Sequence, residues 1–335
     1  MKDAYARAGV DISAKNRSNK LVGKLASATH RTEVLSDVGF FNGMYEFRGY
    51  QRPVLVSSTD SVGTKTRLAI ALNRYDTVGI DIVNHCVNDI FTCGADPIFF
   101  LDYIGIGKLV PERVAALVAG LAKACQEVNC VLIGGETAEL GDVYHGDDFD
   151  LAGFIIGAVE KDEIIAGKRI AAGDALLGMP SNGLHTNGYS LARHVFGESR
   201  AAMEKTYPEL GEPIGEALLR PHTGYYNRLK PYRKLIKGMA HITGGGLIDN
   251  VPRILPAGLA ARFDSKAWEV PPVFPLIQRL GKVTRAEMYH VFNMGVGMVV
   301  ACAPENVAKF TKEIPDIKII GEVVRQAGDE RVMID

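Results

Sequence analysis

The sequence predicts a two-domain protein of the α/β (α+β) class, on three observations. Its 335 residues exceed what one ordinary hydrophobic core serves, which favours two domains of similar size. Short apolar runs rich in β-branched residues alternate with segments of helical periodicity. A polar, glycine-rich break from Ile165 to Asp174 separates two halves, taken as domains 1–170 and 171–335.

In chain order, Met1 to Asn42 is polar, with one helix expected around Lys20–Ala28. Val54-Leu55-Val56 reads as a strand buried on both faces. Asp60, Gly63, Thr64 and Lys65 then lead into a helical run, Thr66–Leu72. An acid for metal, a glycine that lets amides approach oxygens and a lysine for phosphate charge suit a Mg–nucleotide site. The Walker A spacing is missing, and a plain strand-to-helix turn has the same outline. Gly79–Gly94 reads as a helix, with Ile82, Val83, Cys86, Val87, Ile90 and Phe91 at 3.6-residue spacing. Its other side carries Asp81, His85, Asn88 and Asp89 at i, i+4, i+7 and i+8. A solvated face usually carries Lys and Glu; short acids and amides suit a metal or ribose-phosphate site.

Ile98–Leu101 reads as a second buried strand ending at Asp102-Tyr103. Pro111–Val128 is a packing helix with proline at its start. Val131–Ile133 makes a third strand, followed by Gly134-Gly135-Glu136 on a tight turn. Asp60, Asp102 and Glu136 at three strand ends could converge on cations, or serve singly as turn residues or caps. Leu151–Val159 reads as a strand.

The second half opens with a strand, Ala175–Met179. The polar loop Ser181–Ser190 feeds a helix from Tyr189 to about Val195, offering free amides to a phosphate. His185 in that loop is an acid, base or phosphate ligand, or a capping histidine. Glu198–Gly215 reads as a surface excursion. His241-Ile-Thr-Gly244-Gly245-Gly246 precedes a helical stretch, Leu247–Leu255, and is an anion cradle or a flexible loop. Phe292–Met298 feeds a strand, Val299–Cys302. A helix from Pro304 and a strand around Ile319–Val323 close the chain.

Composition narrows the function. At 47% hydrophobic and 23% charged the chain is ordinary globular protein, and a net charge of −1 lacks a nucleic-acid binder's footprint. Five cysteines, odd in number and without a Cys-x2-Cys pair, fit reduced thiols in the cytoplasm and not a disulfide framework or cysteine zinc site. Asp3, Arg7, Asp11 and Lys15 leave no apolar core for a secretory signal, and no run approaches membrane-spanning length.

Seven blocks taken together resemble one family in order. They are Asp60-Ser-Val-Gly-Thr-Lys65; Gly79-Ile-Asp81 with Cys86-Val-Asn-Asp89; Gly94-Ala-Asp-Pro97 through Phe100-Leu-Asp102-Tyr103; Gly134-Gly-Glu-Thr-Ala-Glu139; His185-Thr-Asn-Gly-Tyr-Ser190; Thr243-Gly-Gly-Gly246; and Phe292-Asn-Met-Gly-Val-Gly-Met298. From about Tyr5 onward the chain resembles the phosphoribosylformylglycinamidine cyclo-ligase (aminoimidazole ribonucleotide synthetase) family. It departs from the usual pattern at Val38–Gly43, Leu140–Asp142 and Arg220–Tyr226, which bear on the substrate taken.

The resemblance implies two α/β domains, the N-terminal strands joining a partner's in a dimer-spanning barrel of a cytoplasmic homodimer. It implies ATP-dependent, Mg²⁺-assisted closure of formylglycinamidine ribonucleotide to aminoimidazole ribonucleotide in purine biosynthesis. On it, Asp60, Asp81, Asp102 and Glu136 are Mg²⁺ ligands or their support, and Lys65 contacts ATP phosphates. Gly63, Thr64, Asn88, Asp89 and Gly135 belong to the same nucleotide site. His185 and Asn187 face the reacting formyl group or its phosphate, and Gly244, Gly245 and Gly246 hold a substrate phosphate. The alternatives are another ATP-using relative, an amidine-forming synthetase or small-molecule kinase, or a scaffold that keeps the fold without catalysis.

Overall fold

Two sheets organise the chain, joined by a connection from Lys161 to Asp174. The structure is a computed structural model and describes residues 12–335; Asp3, Arg7 and Asp11, on which the expectation of no secretory signal leans, lie outside them. The first half holds α1 (Ile12–Ser27), β1 (Pro53–Ser61), α2 (Thr66–Leu72), α3 (Asp76–Phe91), β2 (Asp96–Ile106), α4 (Pro111–Glu127), β3 (Val131–Glu139) and β4 (Phe149–Glu160). Its sheet has the order β1-β4-β2-β3, antiparallel except for the β2–β3 pair that α4 connects.

Helices α3 and α4 cover one face of this sheet. Val114, Leu117, Val118, Leu121 and Cys125 of α4 are buried, as are Ile82, Val83, Cys86 and Phe91 of α3. The two helices touch backbone to backbone. A Cβ on Gly79 would sit 2.2 Å from the Leu117 carbonyl, and one on Gly120 2.0 Å from that of Asp76.

Among the described residues no helix covers the other face. The run Val54–Val56, expected to be buried on both sides, lies in an edge strand bonded only to β4, and Leu55 is 64% exposed. Strands β2 and β3 also run past their apolar centres. Asp102 and Gly134-Gly135-Glu136 are therefore inside paired strands, where strand ends and a tight turn are expected, because the ladder continues to Ile106 and Glu139.

The second half contributes β5 (Ala175–Pro180), α5 (Tyr189–Phe196), β6 (Ile236–His241), β7 (Leu259–Phe263), α6 (Val273–Gly281), α7 (Arg285–Val291), β8 (Val296–Cys302), α8 (Val307–Glu313), β9 (Lys318–Arg325) and β10 (Val332–Ile334). The strand order is β10-β7-β9-β5-β8-β6, antiparallel except at β10–β7. Strand β8, between β5 and the edge strand β6, is buried along its whole length. The stretch Glu198–Gly215 is no loose excursion: Met203 and Ile214 are fully buried, and the helix Ile214–Leu219 follows directly. Among the described residues no helix is long and apolar enough to cross a membrane.

Candidate active site

The polar face of α3 meets the second half of the chain instead of solvent. Asp81 and Asn88 are fully buried and Asn84 nearly so. The side-chain amides of Asn84 and Asn88 donate to the carbonyls of His222 (2.7 Å) and Thr223 (2.9 Å). In return the His222 amide donates to Asp81 Oδ1 (2.6 Å) and the Tyr225 amide to Asn88 Oδ1 (2.9 Å). Buried backbone groups need partners, and these side chains supply them to segment 220–225. Asp81 and Asn88 therefore hold polypeptide here, where the expectation is metal and nucleotide.

Lys65 belongs to the same joint. A 3₁₀ turn, Gly63–Lys65, brings it inward while Gly63 and Thr64 stay exposed. Its Nζ lies 3.0 and 2.8 Å from the Asp81 oxygens and donates to the carbonyls of His185 (3.1 Å) and Arg220 (2.8 Å). An ammonium has three N–H groups. All are engaged, so the expected phosphate contact of Lys65 is corrected to an interdomain tie. Burial pushes the lysine pKa down and that of Asp81 up, and each charge holds the other in place.

A second contact between the halves is built from imidazoles. Asp60, near the end of β1, accepts from His85 Nε2 at 2.8 Å. His85 Nδ1 is 2.9 Å from Thr186 Oγ1, which is 3.4 Å from His222 Nδ1. His222 Nε2 is 2.9 Å from His241 Nε2, and His241 Nδ1 is 2.7 Å from Asp89 Oδ1. Asp89 Oδ2 returns to within 3.7 Å of His85 Nε2, closing the circuit. Burial works to raise the pKa of Asp60 and Asp89, but hydrogen bonds and charge from His85 and His241 hold both carboxyls below the usual range. Burial works to lower that of His85; Asp60 and Asp89 overcome it and raise it. For His222 and His241 burial prevails and keeps the rings neutral.

Asp60, His85, Asp89 and His241 form the floor of a cleft of about 560 Å³ between the two halves, with Thr243 and Arg253 on its far wall. His185 does not line it. Its ring is 1% exposed, stacks on His222 at 4.0 Å and 23°, and reaches Thr223 Oγ1 at 3.3 Å. Burial drives its pKa well below the ordinary histidine value. The structure thus makes His185 a packing partner of His222, where an acid, base or phosphate ligand is expected. Asn187 does approach the glycine block: a Cβ on Gly244 would lie 3.2 Å from its Oδ1. Gly245 (φ +90°) and Gly246 (φ +58°) turn the chain into a five-residue helix, Gly246–Asn250, and the Gly246 amide is engaged by the Thr243 carbonyl at 3.0 Å.

Asp102 and Glu136 lie apart from this floor. The row Asp60–Gly153–Asp102–Gly135 crosses the sheet, so Asp102 stands two strands, roughly 9–10 Å, from Asp60. Its carboxylate occupies the space over Gly135, where a Cβ would fall 2.4 Å from Oδ1. Burial pushes its pKa up to about 7. Glu136, one residue on, is exposed on the opposite face of the sheet. The convergence of three acids is corrected accordingly: a strand separates two of them and the sheet separates the third. Spacing does not single out His222 or His241. His241 ends an apolar run directly before the glycine block, which is its signal; His222 has none.

Residues 45–159 match the family model described as AIR synthase related protein, N-terminal domain, and residues 171–334 the corresponding C-terminal domain. A phosphoribosylformylglycinamidine cyclo-ligase of Geobacillus kaustophilus (strain HTA426) is 48% identical, over 98% of this chain and 97% of its own. One of Desulfitobacterium hafniense (strain DSM 10664 / DCB-2) is 52% identical, over 91% and 90%. Among solved structures, thiamine-monophosphate kinase from Stenotrophomonas maltophilia K279a shares the fold at a TM-score of 0.66 and 16% identity, covering 94% of this chain and 95% of that one. Hydrogenase maturation protein HypE in complex with ATP does so at 0.64 and 16%, covering 95% and 90%. Matched in both halves and along nearly its whole length, the chain belongs to the phosphoribosylformylglycinamidine cyclo-ligase family.

Proposed function

We propose that this chain catalyses ATP-dependent closure of formylglycinamidine ribonucleotide to aminoimidazole ribonucleotide, releasing ADP and phosphate. ATP phosphorylates the formyl amide oxygen, converting it into a leaving group. The amidine nitrogen attacks the activated carbon, the carbon–oxygen bond breaks, and the oxygen departs with the phosphate. Such a reaction asks a protein mainly for positioning and charge neutralisation. The observation that carries the reading is the interdomain cleft, with ionised Asp60 and Asp89 in its floor and Arg253 on its wall, in a chain about half identical to cyclo-ligases. Asp60, half exposed at the cleft, supplies an oxygen donor suited to the Mg²⁺ that accompanies ATP. Arg253 and the turn Gly244–Gly246 border the space for a phosphate. Domain 1–170 contributes the acids and domain 171–335 the glycine turn.

The working unit is a cytoplasmic homodimer that pairs the open faces of the first sheet. Phe154 is 41% exposed on that face, flanked in register by Thr59 and Leu101, and Leu55 lies on the same face of β1, four residues before Thr59. Exposed large apolar side chains on an uncovered sheet face call for a partner. All five cysteines are free thiols, in keeping with a reducing compartment.

The test is product formation with Mg²⁺, ATP and formylglycinamidine ribonucleotide, following ADP and aminoimidazole ribonucleotide together. One ADP per imidazole product is expected. ADP release that instead requires thiamine phosphate or another acceptor would assign the chain to kinase chemistry.

A further inference from the structure

We propose that His85, Asp89 and His241 form a binding site for a divalent metal ion of the zinc–cobalt class, joining the two domains at the floor of the cleft. One ligand atom from each residue lies within 4.8 Å of the other two. His85 and Asp89 stand one turn apart on α3, so their side chains share a face. His241 arrives from the last position of β6. His241 Nδ1 lies 2.7 Å from Asp89 Oδ1 and His85 Nε2 3.7 Å from Asp89 Oδ2, so the two oxygens of one carboxylate face the two rings within the span of an ion with bonds near 2.1 Å. Asp60 Oδ2, 2.8 Å from the same His85 nitrogen, flanks the triad.

The outer nitrogens supply an independent observation. A histidine that ligates metal needs its other ring N–H held by an acceptor, which fixes the tautomer and the ring's direction. Here both are held, and by one connected set of groups. His85 Nδ1 meets Thr186 Oγ1, and His241 Nε2 meets His222, whose Nδ1 returns to the same Thr186 oxygen. With the outer nitrogens held by this arc, a bound ion takes the place of the protons that His85 Nε2 and His241 Nδ1 share with Asp60 and Asp89, which are released on binding. Two imidazoles favour zinc, cobalt or nickel over Mg²⁺, which prefers oxygen in an octahedron. Because the ligands line an open cleft, the ion would keep a position for water or a ligand oxygen.

The site does not depend on which reaction the cleft performs, and its test reads metal alone. The full chain, stripped with chelator, is titrated with Co²⁺ and Zn²⁺ by calorimetry, with the visible spectrum of the cobalt form. One ion per chain is expected, with cobalt d–d bands and no displacement by a hundredfold excess of Mg²⁺. His85→Ala and His241→Ala should each weaken binding by roughly 100-fold or more, and Thr186→Val by about 10–100-fold; His194→Ala, at an exposed position, should change nothing. X-ray absorption at the cobalt edge of the wild-type protein must show two imidazoles, a readout that needs no variant to fold. No bound ion, ready displacement by Mg²⁺, a spectrum without imidazole, or undiminished binding in folded His85→Ala/His241→Ala protein would each overturn the proposal.

Discussion

Lys65 Nζ and Asp81 Oδ2 lie 2.8 Å apart with neither side chain exposed to water. The pair sits where the first half of the chain meets the second, and the ammonium also carries the carbonyls of His185 and Arg220. A motif that suggests phosphate binding is thus used to assemble the walls of the cleft.

Removing one partner of such a pair strands a buried charge. Lys65→Met should lower stability by about 3–5 kcal/mol. ATP affinity, measured by calorimetry below the melting transition, should stay within a few fold of wild type because Lys65 has no donor left for the nucleotide. A stability loss under about 1 kcal/mol in chemical denaturation would contradict the tie.

Asp102 makes stability depend on pH. Burial raises its pKa from the ordinary 3.8 to about 7 in the fold. The folded carboxyl therefore keeps a proton that the unfolded chain loses. Its contribution is fully present below pH 3.8 and is lost as pH rises through about 7, a total of about 4 kcal/mol. Asp102→Asn, neutral at every pH, should melt progressively higher than wild type between pH 5 and pH 8. A melting difference that is the same at both ends of that range would count against the buried, protonated acid.

Asp60 is half exposed and bears on function more than on folding. Asp60→Asn should reduce aminoimidazole ribonucleotide formation by roughly a hundredfold or more, the scale of losing one electrostatic contact to a transition state. The melting temperature should move by only a few degrees. Turnover within a few fold of wild type would remove Asp60 from the site.

The open sheet face predicts an association that charge can break. Leu55→Glu combined with Phe154→Glu should convert the dimer to monomer in sedimentation velocity at micromolar concentration, with far-UV circular dichroism unchanged. Both positions face out of the sheet, so the isolated fold has little to lose. A double variant that sediments like the wild type, or a wild type that is already monomeric, would refute the face as an interface.

Legibility followed physical signal. Helix α4 reads directly from Pro111 and the spacing of Val114, Leu117, Val118 and Leu121. Strand β10 is three residues long, and β7 reads Leu-Ala-Ala-Arg-Phe, so neither carries a period to detect. Val54-Leu55-Val56 looks the same whether one face or two are covered, because cover comes from elsewhere in the fold. At the site, the spacing of Asp81, His85, Asn88 and Asp89 marks an unusual helix face. Its division is invisible locally: Asp81 and Asn88 turn to segment 220–225, His85 and Asp89 to the cleft. Only the three-dimensional course of a distant segment decides it.

That segment, Arg220–Tyr226, is also one of the three stretches at which the sequence reading expects a departure from the family pattern. The grip on it is indifferent to that departure. Lys65, Asp81, Asn84 and Asn88 hold the Arg220 carbonyl, both main-chain groups of His222, the Thr223 carbonyl and the Tyr225 amide. All of these are main-chain groups, present for any residue except a proline at 222 or 225. The joint fastens main-chain groups and makes no use of the side chains that project from the segment. His222 is such a side chain: its ring joins the imidazole circuit through Thr186 and His241, while only its main chain takes part in the seam between the domains.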